Sequence, residues 1–299
     1  MKHNDQESKL PVQTGSTLKD WVAGWDPDAI HCEETLETAV ANALSATLDL
    51  PERLVSGESL PLLWHWLYFN AWSPTEELGE DGHPATGWSL PPIPSRRRMF
   101  ASSTVKVAEP LVVGERAVKS SSVISITSKC GRTGELLFVT VRSEYSQHGR
   151  SRLVEDQTVA YRSGSDSGIE PRHSDDFLGD DAEPWSHEPR LTTATLFRFS
   201  SVTANTHRIH YDERYAREVE KYPSLVVQGP LLAMYMADLA TRRSGKAVSL
   251  FTFRATRPVF LGDLIRIEGR PNTSACSSAD LRVSTGPNTV HATASVEFR

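Results

Sequence analysis

Asn205, His207 and His210 fall within six positions, and Tyr211 and Asp212 follow at once. An imidazole titrates near neutrality, so a histidine here can take a proton from water and return it. An amide does not exchange protons usefully, but it can hold or orient a water. Downstream, the apolar run Leu225-Val226-Val227 leads into Gln228-Gly229-Pro230 and then Leu231-Leu232-Ala233-Met234. Pro230 suits the first turn of a helix, where a missing N–H costs nothing. The Gly229 N–H is then left at a positively polarised helix terminus, suited to an oxygen on which negative charge develops. Base, orienting amide and oxyanion donor together fit acid–base chemistry beside a carbonyl.

The run Thr203-Ala204-Asn205-Thr206-His207-Arg208-Ile209-His210-Tyr211-Asp212, followed by Tyr215-Ala216, resembles the signature of the R-specific enoyl-thioester hydratases (hydratase 2, or MaoC-like). That signature reads Gly-Asp-x-Asn-Pro-aliphatic-His, with Ala six positions after the His. His210 falls on the catalytic histidine of the family and Ala216 on its Ala. Asn205 stands where the family carries its catalytic aspartate, His207 replaces the motif Asn, and Arg208 replaces the Pro. With Tyr222-Pro223-x-Leu225-Val226-Val227-x-Gly229-Pro230-Leu231-Leu232 downstream, the pattern is similar to one branch. That branch holds the type 2 hydroxyacyl-thioester dehydratases and the mesaconyl-C4-CoA and itaconyl-CoA hydratases.

The resemblance implies an α+β double hot-dog fold, with antiparallel sheets each wrapping a long central helix and joined side by side. It implies reversible hydration of a short-chain enoyl-CoA, dicarboxylic mesaconyl- or itaconyl-type esters among the candidates, with His210 as general base and the Gly229 N–H as oxyanion donor. No cofactor is expected beyond the coenzyme A of the substrate, and no metal. Because Asn205 cannot transfer a proton, either His210 works alone or another group helps, with His207 and Asp212 as candidates. His207 and Tyr211 are candidate substrate contacts. Arg97 and Arg98, in the run Arg96-Arg97-Arg98-Met99-Phe100, could bind coenzyme A phosphates or a substrate carboxylate. Two alternatives stay open: a 3-hydroxyacyl-carrier-protein dehydratase, and a non-catalytic acyl-thioester-binding protein.

The chain has 299 residues, 38% of them hydrophobic, with a net charge of −6 and a pI near 5.9. That acidity argues against a nucleic-acid partner. The three cysteines, Cys32, Cys130 and Cys276, lie far apart and form no C-x-x-C pair, so a reduced, cytoplasmic setting is expected. No apolar run approaches the roughly 18 residues of a membrane span, and the N-terminus lacks the features of a signal peptide.

The elements that must position this chemistry follow from periodicity. Helical character is expected over Leu18–Trp25, from Glu33 to Leu48, and over the apolar Leu60–Phe69, read as a buried central helix. Pro74–Pro94 is a long, Gly- and Pro-rich loop of the kind that serves as a lid. Strands are expected over Thr104–Val107, Ala117–Thr127, Leu136–Tyr145, Thr192–Ser200, Leu250–Ala255, Leu264–Gly269, Asp280–Thr285 and His291–Arg299. Two segments match in spacing: Val105-x-Val107-x-x-Pro110-x-x-x-Gly114-Glu115 and Phe253-x-Ala255-x-x-Pro258-x-x-x-Gly262-Asp263. Pro61-Leu62-Leu63 likewise matches Pro230-Leu231-Leu232. The repeat predicts an N-terminal hot-dog unit over 1–162, a solvated linker over 163–190, and a C-terminal unit over 191–299 that carries the motif. A homodimer of such chains is a further expectation.

Overall fold

The two Pro-x-x-x-Gly-acid segments occupy equivalent turns of one sheet. The computed structural model describes residues 17–51, 53–93, 97–131, 134–162, 183–272, 276–286 and 288–299. Among these described residues, ten strands make a single antiparallel sheet: β1 (Ile30–Thr35), β2 (Arg97–Val107), β3 (Arg116–Gly131), β4 (Gly134–Gln147), β5 (Arg150–Arg162), β6 (Trp185–His187), β7 (Val248–Ala255), β8 (Arg266–Pro271), β9 (Ser278–Gly286) and β10 (Thr289–Phe298). Their order is β1-β3-β4-β5-β2-β7-β10-β9-β8-β6. β2 and β7 meet at the centre, from Ser102 opposite Arg254 to Lys106 opposite Leu250. Outward from that seam, β2-β5-β4-β3-β1 mirrors β7-β10-β9-β8-β6, so the sequence repeat is a topological repeat. Gly114 and Gly262 take φ of 83° and 107° in the matching turns. A Cβ on Gly114 would lie 2.0 Å from Ser56 Oγ, which is why the repeat needs glycine there.

Among the described residues, five α-helices accompany the sheet: α1 (Leu18–Trp21), α2 (Thr38–Thr47), α3 (Thr193–Val202), α4 (Glu213–Glu218) and α5 (Gly229–Ser244). α5 is apolar nearly all round, buries Leu231 through Ala237, and ends at Gly245 with φ 65°. It packs on the inner face of β7–β10, as a hot-dog helix does. Phe251, Phe253, Ile267 and Val283 on that face are fully buried.

The first half departs from the expected central helix. Leu60–Phe69 forms only a 3-10 turn, Trp64–Leu67, bounded by Leu63 and Phe69 with φ of 68° and 61°. The side chains of His65 and Trp66 both donate to the carboxylate of Glu155, each at 2.9 Å. Successive residues of an α-helix point about 100° apart, so a continuous helix could not aim both at one carboxylate. Trp66 therefore faces the interior next to the site, whereas Trp72 is 68% exposed.

Thr192–Ser200 forms helix rather than strand. Thr192 caps it by accepting from Thr195 N, and Leu196, Phe199 and Ser200 share the buried side, so packing overrides the β-propensity of its threonines. The stripe expected from Glu33 begins as β1, because Leu36 bonds both Glu115 O and Gly114 N and bends the chain before α2. β5 was not anticipated. Trp185–His187, within the expected linker, is an edge strand on β8. The proposed linker's 163–182 and the N-terminal 1–16 lie outside the described residues. No helix among the described residues is long and apolar enough to cross a membrane.

Candidate active site

α3 ends at Thr203, and Ala204 turns the chain with φ 50°. Asn205 N donates to Ser200 O at 2.9 Å, and Asn205 Oδ1 accepts from His207 N at 3.2 Å. A 3-10 turn, Arg208–His210, then presents His210 inward. This turn is stitched to the apolar run: Val226 N donates to Ile209 O at 2.9 Å, and His210 Nδ1 lies 2.7 Å from Val226 O. A carbonyl only accepts, so Nδ1 carries the proton and Nε2 is left with a bare lone pair. His210 is buried, and burial lowers its pKa to about 4. The ring is therefore neutral at physiological pH, the form a base requires.

Val227 N donates to Val259 O, which fixes the strand-like run against the turn that holds Pro258 and Gly262. Gln228 follows and ties the start of α5 to α3, donating to Leu196 O and Ser200 Oγ at 2.9 Å each. Gly229 is the first residue of α5, so its N–H has no intrahelical acceptor. Gly229 does not adopt a positive φ. What a Cβ there would meet is the Phe100 ring, at 3.2 Å, so an added methyl would press on Phe100 while the backbone conformation itself accepts any residue.

The long loop closes over this segment. Asp81 O accepts from Arg208 N at 2.9 Å, Glu80 O accepts from the Arg208 guanidinium at 3.0 Å, and Thr206 Oγ1 donates to Gly82 O. A Cβ on Gly82, φ 86°, would fall 2.2 Å from Thr206 O. His83 arrives with the loop. Its ring stacks on His207 at 4.1 Å between centroids, and His207 meets His210 edge-on at 5.5 Å. Asp81 holds His83 at Nδ1, 3.0 Å away. Burial lowers the pKa of His83, and burial together with the neighbouring imidazoles His83 and His210 lowers that of His207. The sequence reading missed Asp81 and His83; the one signal was their place in a long loop with Gly82. Asp81, His83 and His207 each offer a donor atom within 4.8 Å of the others, the one such grouping among the described residues that could hold a metal ion.

The other candidates fall into place around this core. Asp212 caps α4 by accepting from Tyr215 N at 3.0 Å and pairs with Arg208 at 2.7 Å, so its role is local support. Tyr211 is 45% exposed and donates to Thr206 O at 3.0 Å, bracing the turn. Arg97 sits 3.6 Å from Glu220. Arg98 is near enough to His83 and His207 to depress both. Arg96 lies outside the described residues. Asn205 and Pro230 also border a cavity of about 330 Å³ that extends over the inner face of β3–β5.

The fold is that of a hot-dog protein, and its similarity to known proteins makes the chain a hydro-lyase of acyl thioesters. The family model described as hydroxyacyl-thioester dehydratase type 2 matches residues 63–261, and the chain belongs to that family. It is 39% identical over 259 residues to mesaconyl-C(4)-CoA hydratase of Chloroflexus aurantiacus, covering 85% of this chain and 90% of that protein. It is 26% identical over 275 residues to the mitochondrial hydroxyacyl-thioester dehydratase type 2 of Schizosaccharomyces pombe, covering 79% and 88%. Among solved structures, a MaoC-like dehydratase from Phytophthora capsici shares the fold with a TM-score of 0.69 at 12% identity, over 95% of this chain and 98% of that one. HtdX of Mycobacterium tuberculosis does so with a TM-score of 0.63 at 15% identity, over 91% and 100%.

Proposed function

We propose that the chain catalyses reversible hydration of a short-chain enoyl-CoA, with the mesaconyl and itaconyl type within its substrate class. The observation that carries this reading is His210, neutral, with Nδ1 committed to Val226 O and Nε2 bare on the same short segment as Asn205. His210 Nε2 takes a proton from water as its oxygen attacks the β-carbon. The Asn205 amide orients that water in place of the family carboxylate. Charge moves to the thioester oxygen, where the Gly229 N–H receives it. The imidazolium then returns its proton to the α-carbon, so one imidazole serves both steps. His207 and the loop-borne His83 wall the site, and Arg97 and Arg98 are the candidate contacts for an anionic carrier, Arg98 being close enough to act on both imidazoles.

The test is loss of enoyl-thioester absorbance on adding purified protein to crotonyl-CoA and mesaconyl-C4-CoA, with the matching enoyl-carrier-protein substrates run beside them. Turnover of the CoA esters is the expected result. Turnover of carrier-protein substrates alone would move the assignment to fatty-acid synthesis, and binding without turnover would make this an acyl-thioester binder.

A further inference from the structure

The repeat allows the inner faces of the two half-sheets to be matched residue by residue. Spacing from Gly114 and Gly262 places Lys119 on Ile267. The strand registers carry the match onward: Lys119 opposite Tyr145 corresponds to Ile267 opposite Val283, so Ser143 falls on Leu281. Ser143 opposite Glu155 corresponds to Leu281 opposite Ala294. Gln157 opposite Ser103 corresponds to Val296 opposite Phe251. In the second half these positions are apolar, buried and covered by α5. In the first half they are Lys119, Ser143, Glu155, Gln157 and Ser103, and the covering helix is replaced by the Trp64–Leu67 turn. The cavity of about 330 Å³ lies over this polar face and reaches Asn205 and Pro230.

Most of that polarity is already engaged. Glu155 accepts from His65 Nε2, Trp66 Nε1 and Ser103 Oγ, at 2.9, 2.9 and 2.7 Å, and so anchors the turn. Ser121 and Ser143 bond each other at 2.8 Å. Lys119 is different. Among the described residues its ammonium has no hydrogen-bond or ion-pair partner, and it sits 5.5 Å from the centre of the Tyr145 ring. Burial lowers the pKa of Lys119, opposed by the nearby Glu155. A half-buried cation without a bonded partner is costly, and it stands where the other half carries isoleucine.

We propose that Lys119 is a specificity-determining residue that receives a second carboxylate on the acyl group, so that this cavity favours carboxylated enoyl thioesters over plain aliphatic ones. The proposal rests on the hydratase reading above. The Glu155 carboxylate is surrounded by donors, which leaves Lys119 as the cavity-lining cation able to meet an incoming anion. A bond between charged partners typically carries a ten- to hundredfold preference, roughly.

The full-length protein would be assayed with crotonyl-CoA, mesaconyl-C4-CoA and a six-carbon enoyl-CoA bearing a terminal carboxylate, as wild type, Lys119→Met and Lys119→Arg. Lys119→Met is expected to lower kcat/KM for at least one carboxylated substrate by about tenfold or more, mainly through KM. Crotonyl-CoA should be turned over within about twofold of wild type, and Lys119→Arg should recover part of the preference. Equal losses on all substrates together with a lower Tm would assign Lys119 to balancing Glu155 and overturn the proposal, as would no change on any substrate. Wild type that hydrates crotonyl-CoA but neither carboxylated ester would sink this inference alone. Wild type that hydrates none would sink the hydratase reading with it.

Discussion

His210 Nδ1 donates to the carbonyl of Val226 across 2.7 Å, and this contact fixes the tautomer on which the mechanism depends. The turn that carries His210 and the run that delivers Gly229 are thereby one rigid piece, since Val226 N also bonds Ile209 O. The proposed base and the proposed oxyanion donor are positioned by the same pair of hydrogen bonds. His210→Ala should therefore leave the fold intact and lower kcat by at least about a hundredfold, the usual weight of one general base. Activity within a few-fold of wild type, measured on the same enoyl-CoA, would place the base elsewhere.

The pH profile follows from burial. His210 titrates near 4 in the folded chain, against about 6.5 for an unperturbed imidazole. The base form thus persists well below neutrality, and kcat/KM should hold until pH approaches about 4 and then fall. The sign for stability is the same. Between about 6.5 and about 4 the unfolded chain takes up a proton that the buried ring refuses, so stability is lost as pH falls through that window. His83 and His207 shift in the same direction and steepen the slope. Urea unfolding at a series of pH values, with His210→Ala for comparison, should show a shallower dependence in the variant.

Asn205 stands where the resembled hydratases carry a carboxylate. Asn205→Asp introduces a second proton acceptor about the same water, and the kcat/KM profile should gain a new acidic limb while activity remains measurable. An unaltered rate with an unaltered profile would put Asn205 outside the reaction.

Gly229→Ala separates backbone from contact. The helix terminus tolerates alanine, so Tm should move little; the added methyl instead presses on Phe100, 3.2 Å from where it would sit. Displacing the oxyanion donor should cost about a hundredfold in kcat, with near-normal binding of a saturated acyl-CoA. Phe100→Leu in the same chain should return part of that loss. A variant that melts early yet turns over normally in the cold would remove Gly229 from the mechanism.

β2 and β7 pair along the centre of the sheet, so residues 191–299 expressed alone would expose the edge of β7. That fragment should dimerise or aggregate on size exclusion. A soluble, well-folded monomer would show that the second half is independent of the first.

What the sequence determined by itself is what short-range order encodes. The Asn205–Asp212 run, the Gly-Pro start of α5 and the two Pro-x-x-x-Gly-acid turns were legible, because each is set by a residue's own backbone preference or by a bond within a few positions. The strand periods around those turns were legible for the same reason. Partners distant in sequence decided the rest. Thr192–Ser200 became a helix because Leu196 and Phe199 bury against the core, which local propensity does not register. Pro61-Leu62-Leu63 and Pro230-Leu231-Leu232 are the same letters, yet one opens a turn and the other a sixteen-residue helix. The difference lies in Glu155, about ninety residues away, which takes the side chains of both His65 and Trp66. His83 and Asp81 reached the site only because the loop folds back onto Thr206 and Arg208, a contact that costs chain entropy and shows itself only once the sheet has brought the two halves together.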